Sequence, residues 1–246
     1  MNVLTTYGEH SDKIQVYETD TLFGEKGRFR VLQFADEAVQ GAIDCHHPER
    51  IVFEYPRALI HLMEYNASGL LDDIFIVGHG IGTLAGYFSD KHCVSVEINE
   101  QIAQISKQYF DYNGAAVRIG DGRDVLEKDT NVYQYMIIDA FTSDGIPKHL
   151  CTRTFFSIVQ SHLKPNGAII CNAIGRGKQD IQTSAIYSTL QQVFPYVYAF
   201  TLPSESERDI RNSLVIGSNQ AMQYRLRSMA GFIPYTPNAG YIIEDD

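Results

Sequence analysis

An α/β fold built on a mostly parallel sheet, preceded by a smaller β-rich segment, is the fold class that the sequence predicts. Three observations lead there. From residue 70 onward, short apolar runs alternate with amphipathic stretches, the pattern of strands joined by helices that cover a sheet. A glycine-rich turn directly follows the first of those runs. The first 57 residues differ: Ile14-Gln15-Val16-Tyr17, Arg28-Phe29-Arg30-Val31-Leu32-Gln33-Phe34 and Ile51-Val52-Phe53 alternate like antiparallel strands with one wet face.

Taken in order, a helix over residues 56–66 joins the β-rich part to the main sheet. Asp73-Ile74-Phe75-Ile76-Val77 reads as a fully buried strand, and a helix over 83–89 follows the glycine turn. Cys93-Val94-Ser95-Val96-Glu97-Ile98 is the second strand. Asn99 is the N-cap of the next helix, which carries Ile102, Ile105 and Tyr109 at helical spacing. Val117-Arg118-Ile119 and Tyr135-Met136-Ile137-Ile138 are the third and fourth strands, the latter ending in Asp139. Thr152 caps a helix carrying Phe155, Phe156, Val159 and Leu163. Pro165-Asn166-Gly167 then turns the chain into the strand Ala168-Ile169-Ile170-Cys171. After a helix over 184–193 come strands over 197–202 and 213–217. No helix separates them, so they are expected to pair antiparallel at the sheet's edge. A short helix and an irregular tail are expected after residue 218. The predicted organisation is a β-rich segment (1–57), a nucleoside-binding domain (58–218) and a C-terminal helix and tail (219–246).

Composition narrows the function. The 246 residues suffice for one sizeable core with a small appendage. Acids outnumber bases by 30 to 20, a formal charge of −10, which repels phosphate backbones and argues against nucleic acid as the main partner. A cationic substrate suits that balance better. No apolar run approaches the roughly 18 residues of a membrane span. The N-terminus lacks the basic and apolar regions of a signal peptide, and the four cysteines are scattered without a CxxC pair. The expectation is a cytoplasmic protein with no membrane partner.

The strongest single feature is Gly78-His79-Gly80-Ile81-Gly82-Thr83, between a buried strand and a helix. Gly78, Gly80 and Gly82 let the backbone approach a ligand with amide N–H groups facing it. Glu97 ends the next strand, 19 positions after Gly78, where a carboxylate can accept hydrogen bonds from both hydroxyls of a ribose. Asp121, in Gly120-Asp121-Gly122, is positioned to hold an adenine amino group; it equally suits the N-cap of a helix over 122–126. Asp139 sits where ligands of open α/β sheets react, or opens an Asx turn, and Asp144 follows in the same loop. A dehydrogenase fingerprint would carry glycine at position 83, where Thr83 stands, and needs no acids at the third and fourth strand ends. The pattern therefore points to a Rossmann-like sheet of the class I S-adenosylmethionine-dependent methyltransferase type, binding a sulfonium nucleoside beside a second, cationic substrate. His79 reads as a solvent-facing loop histidine. His46-His47 and His149 read as surface residues, since adjacent strand histidines face opposite ways and do not share a metal.

The succession of the 74–82 stretch, Val96-Glu97-Ile98-Asn99, Gly120-Asp121-Gly122, Ile138-Asp139 and Leu163-Lys164-Pro165-Asn166-Gly167 resembles the spermidine and spermine synthases, the polyamine aminopropyltransferases. Phe34-Ala35-Asp36-Glu37-Ala38-Val39-Gln40 looks like that family's Leu-Asp-Gly-x-x-Gln strand. The stretch from Asp139 to Leu150 resembles the spermidine-synthase-like branch, and the likeness spans residues 30–172. It implies transfer of an aminopropyl group from decarboxylated S-adenosylmethionine to an amine of the polyamine class, without a metal, in a homodimer or homotetramer. Glu97, Asp121, Gly122 and Gln40 would bind the nucleoside. Asp139, with Asp144, would serve catalysis, and Asp36 and Glu54 the amine substrate. The sequence departs from the family at three points: Ile81 and Thr142 stand where the family carries aspartates, and Phe53-Glu54-Tyr55 aligns with its Tyr-Gln-Glu. The alternatives are a methyltransferase using S-adenosylmethionine itself, or a non-catalytic nucleoside-binding homologue.

Overall fold

Period-two alternation in strands buried on both faces organises the molecule. In the computed structural model, which describes residues 1–10, 13–35, 39–67, 71–142, 144–176, 180–203 and 209–246, β5 (Asp73–Val77), β8 (Tyr133–Ile138) and β9 (Leu163–Gly175) form the centre of the main sheet. Phe75, Val77, Met136, Ile138, Ile169 and Cys171 feed one core. Ile74, Ile76, Tyr135, Ile137, Ala168 and Ile170 feed the other. Helices α4 (Gly122–Glu127), α5 (Arg153–Ser161) and α6 (Ile181–Leu190) close the first layer. Helices α1 (Glu54–Asn66) and α2 (Thr83–Tyr87) close the second, with Met229 and Phe232 from the C-terminal stretch.

With β6 (His92–Glu97), β7 (Arg118–Ile119), β10 (Tyr196–Thr201), β11 (Arg211–Ser218) and β12 (Ile233–Pro234), the strand order is β12-β10-β11-β9-β8-β5-β6-β7. The run from β9 to β7 is parallel. β11 pairs antiparallel with β9 and with β10, as the missing crossover helix requires, and β12 adds antiparallel to β10. The chain runs outward from β5 through β6 to β7, then returns to place β8 on the other side of β5. The topological switch point, where open α/β sheets leave a crevice, therefore lies between the ends of β5 and β8.

The N-terminal sheet is β1 (Asn2–Tyr7), β2 (Ile14–Leu22), β3 (Glu25–Phe34) and β4 (Val39–Asp44), paired antiparallel in that order. Its Ile14, Val16 and Leu32 pack on Ile81 of the glycine loop and on Ile102 and Ile105 of α3 (Glu100–Tyr109). The sheet thereby forms one wall of the crevice.

Several boundaries differ from the sequence reading, each for a tertiary reason. Ile51-Val52-Phe53 is no strand: Ile51 makes a single bridge to Ile43, and Phe53 is the N-cap of α1. Val52 and Phe53 cover the Tyr17, Leu22 and Phe29 cluster instead of pairing. Helix α1 opens at Glu54, with Pro56 inside its first turn, where the missing N–H costs nothing. Strands β1 and β4 complete the N-terminal sheet beyond the alternating runs. Leu163 leaves α5, which stops at Ser161, and begins β9. Lys164 to Gly167 form an irregular start to that strand, and the register against β8 shifts there. After residue 218 the helical element is one 3-10 turn, Leu226–Ser228. Among the described residues no helix is long and apolar enough to cross a membrane.

Candidate active site

The crevice at the switch point is a cavity of about 210 Å³. Its floor is the turn after β5. Gly78 adopts φ +95°, and a Cβ there would overlap the Asp139 carbonyl, so β5 and β8 can exit side by side only with glycine at this position. Gly80 lines the cavity. Gly82 lies just outside it as the left-handed N-cap of α2, at φ +85°, with the Tyr112 ring 2.6 Å from where a Cβ would stand.

His79 does not face solvent. It is buried, with Nδ1 2.9 Å from Ser95 Oγ and Nε2 3.0 Å from Ser106 Oγ, and its ring meets Tyr112 edge-on. Two serine hydroxyls offered by β6 and α3 give the imidazole better partners inside than the sequence of the loop alone suggests. Burial, aided by the charge of Lys107, pushes its pKa down to about 4, so the ring is neutral at physiological pH.

Glu97, at the end of β6, is held through both oxygens. Oε2 accepts from the His79 N–H and Oε1 from the Asn99 N–H, each at 3.0 Å. A carboxylate has four acceptor sites, so two remain for a ligand's hydroxyls. Next to it, Ile98 lines the cavity while 72% exposed, an apolar face open to a flat ring. Asp121 is the N-cap of α4: Oδ1 accepts from Arg123 N–H at 2.9 Å and Asp124 N–H at 3.2 Å, and Oδ2 lies 2.8 Å from His149 Nε2. Burial raises its pKa, but the His149 contact and the cap bonds outweigh burial and leave the carboxyl below its ordinary range. Gly122 lines the cavity beside it.

Asp139, at the end of β8, is held by side chains. Tyr55 Oη donates to Oδ2 at 3.0 Å, and Asn172 Nδ2 donates to Oδ1 at 2.8 Å. Asn172 Oδ1 accepts in turn from Asn212 Nδ2 at 2.9 Å. Burial is the largest influence and raises the Asp139 pKa; the two donors oppose it and the Glu97 charge adds to it, leaving it at about 6. The Tyr55 hydroxyl is pushed well above its ordinary value by burial and by Asp139.

Six of the residues singled out from the sequence, Gly78, Gly80, Glu97, Asp121, Gly122 and Asp139, line the cavity, as does Gln40 from β4. Three do not reach it. Asp144 is exposed in a turn closed by Thr142 and Gly145, with its N–H on Thr142 Oγ1, and does not line the cavity. Gly82 is displaced as described. Glu54 is exposed on the first turn of α1 beside Arg57, whereas its neighbours Phe53 and Tyr55 line the cavity. Asp36 lies outside the described residues. Sequence reading missed Tyr55, Asn172, Asn212, Ile98 and His149 as site residues; of these only Ile98, exposed beside Glu97 at a strand end, carried a local signal. Among the described lining residues the charged acids are Glu97, Asp121 and Asp139, so the cavity favours cations. Among the described residues no three His, Cys, Asp or Glu side chains gather as a metal site.

Known proteins resemble this chain in sequence and in fold. A family model described as the spermine/spermidine synthase domain matches residues 52–221. The chain is 27% identical over 237 residues to a polyamine aminopropyltransferase of Vibrio vulnificus, covering 90% of this chain and 77% of that protein. Alignments with relatives from Bifidobacterium longum and Chromobacterium violaceum extend over only 32% and 59% of those proteins. A probable spermidine synthase from Corynebacterium glutamicum superposes with TM-score 0.75 at 22% identity, covering 89% of this chain and 81% of that one. A spermidine synthase in complex with the transition state analogue AdoDATO superposes with TM-score 0.67 at 17% identity, over 89% and 73% of the two chains. These structures share the fold. The chain belongs to the spermine/spermidine synthase family.

Proposed function

We propose that this member of the spermine/spermidine synthase family is an aminopropyltransferase that uses decarboxylated S-adenosylmethionine and a polyamine acceptor. The observation that carries the reading is Asp139: a carboxyl of pKa about 6 at the switch point, sharing one cavity with Glu97 and Asp121. In this reading the ribose hydroxyls bind Glu97. The adenine lies over Ile98 with its amino group toward Asp121 Oδ2, shared with His149. The sulfonium sits above the turn formed by Gly78 and Gly80, and the acceptor nitrogen sits at Asp139.

The acceptor arrives as an ammonium ion and gives one proton to the Asp139 carboxylate. Its freed lone pair attacks the propyl carbon bonded to sulfur. The N–C bond forms as the C–S bond breaks, the electron pair returns to sulfur, and neutral methylthioadenosine leaves. Asp139 then loses its proton to solvent. The sulfonium is already a good leaving group, so alignment within the cavity supplies most of the acceleration. A carboxyl near pKa 6 is well matched to the proton step: ionised at neutral pH, yet basic enough to accept.

The test is release of methylthioadenosine from decarboxylated S-adenosylmethionine with putrescine or spermidine, compared with an Asp139→Asn variant. No turnover with any polyamine, alongside formation of S-adenosylhomocysteine from S-adenosylmethionine, would replace this reading with methyl transfer. One feature favours that second reading. Ile81 is buried against Leu32 and Ile102, so the loop offers no carboxylate at this position for an aminopropyl ammonium.

A further inference from the structure

The orientation of Asn172 and the charge of Asp139 depend on each other. A carboxylate can only accept hydrogen bonds, whereas a carboxamide can turn either its NH2 or its oxygen toward it. Asn172 is 1% exposed, so water does not arbitrate between the two orientations. Turned the wrong way, its oxygen would face Asp139 Oδ1 at hydrogen-bond distance, and Asp139 would have to keep a proton to avoid the repulsion.

Asn212 favours one of the two orientations from the other side. In the antiparallel β9–β11 register Asn172 stands opposite Leu214, and Asn212 lies two residues along on the same face. Its Nδ2 donates to Asn172 Oδ1 at 2.9 Å, which sends the Asn172 NH2 to Asp139 at 2.8 Å. Asn212 does not line the cavity. We propose that Asn212 is a positioning residue, acting through Asn172 to lock the carboxamide in the orientation that keeps Asp139 an ionised acceptor. This inference rests on the reading of Asp139 as the group that takes the acceptor's proton. The other titratable groups bearing on Asp139 are Tyr55 from α1 and Glu97 from β6, and Arg211, beside Asn212, bears on Tyr235. Substitution at Asn212 removes none of them.

The experiment titrates the Asp139 carboxyl by carbon-13 NMR, assigned with Asp139→Asn, and records kcat/KM against pH for the same proteins. Asn212→Leu removes the donor without adding charge. It should raise both the carboxyl midpoint and the acid limb of the rate profile by about 0.5–1 pH unit, a roughly two- to fivefold loss of rate near pH 6 that approaches three- to tenfold below about pH 5. In an Asn172→Leu background the same substitution should add nothing, because its effect passes through Asn172. Asn212→Ala, smaller and without a donor, repeats the test should the leucine variant fold poorly. An Asp139 midpoint unmoved by Asn212→Leu or Asn212→Ala, or moved equally in the Asn172→Leu background, overturns the lock. A midpoint that moves while the rate profile stays put leaves the lock standing and removes Asp139 from the proton step.

Discussion

Acids at the two ends of the cavity are held in different ways. At the end proposed to hold the nucleoside, Glu97 and Asp121 accept from main-chain N–H groups of His79, Asn99, Arg123 and Asp124, and Asp121 also meets the His149 ring. At the end proposed to react, Asp139 accepts from the side chains of Tyr55 and Asn172, 84 and 33 positions away. Main-chain donors come with the turn or helix start itself, so they survive almost any substitution that preserves the fold. Side-chain donors can be exchanged one at a time, which makes the Asp139 end the more tunable one. Protonation differs too: the His149 ring and the cap bonds hold Asp121 below the carboxylate range, whereas burial pushes Asp139 up to about 6.

Replacing Asp139 by Asn should separate the two ends most sharply. The expected loss in kcat is about 10²–10⁴-fold, with methylthioadenosine affinity nearly unchanged by calorimetry; an equal loss of nucleoside binding would merge the ends. The same variant reports on stability. Because folding raises the Asp139 pKa, the folded protein holds more protons than the unfolded chain between about pH 4 and pH 6. Stability therefore falls as pH rises through that window, and Asp139→Asn should melt higher than wild type at pH 8 but not below pH 4.

Glu97→Gln should act at the other end. A charge-assisted hydrogen bond is worth about 1.5–3 kcal/mol, so nucleoside affinity should fall about 10- to 100-fold in the same calorimetric titration. Since the Glu97 charge raises the Asp139 pKa, the acid limb of the rate profile should also move to lower pH. A limb that stays in place would mean the two ends are electrically independent. Tyr55→Phe removes one donor from the Asp139 carboxylate, so the limb should move upward instead, by about a unit or less. Rates at pH 8 should change little. Smallest of all, Asp144→Asn should alter steady-state rates less than about twofold, as expected for an exposed residue outside the cavity; a large loss would bring the 142–145 turn into the reaction.

How much could be read from the sequence follows the same division. The alternation in β5, β6 and β8, the glycine turn and the caps Asn99, Asp121 and Thr152 are local signals, and each element stands where those signals put it. Glu97, Asp121 and Asp139 all close strands or open helices, so their convergence follows once the strands are parallel. His79 was misread because its partners, Ser95 and Ser106, lie on other elements. Ile51-Val52-Phe53 looked like a strand because β-branched and aromatic residues favour one, but a cluster needing cover claimed them.

The amino-acid sequence by itself determined a parallel sheet with acids at its carboxyl edge and an antiparallel segment ahead of it, because hydrophobic period, glycine conformation and helix capping are decided within a few residues. Only the tertiary structure decided that Tyr55, Asn172 and Asn212 meet around Asp139, that Asp144 stays outside and that His79 turns inward. Those placements depend on strand order and register, which bring together side chains whose separation along the chain carries no trace of their contact.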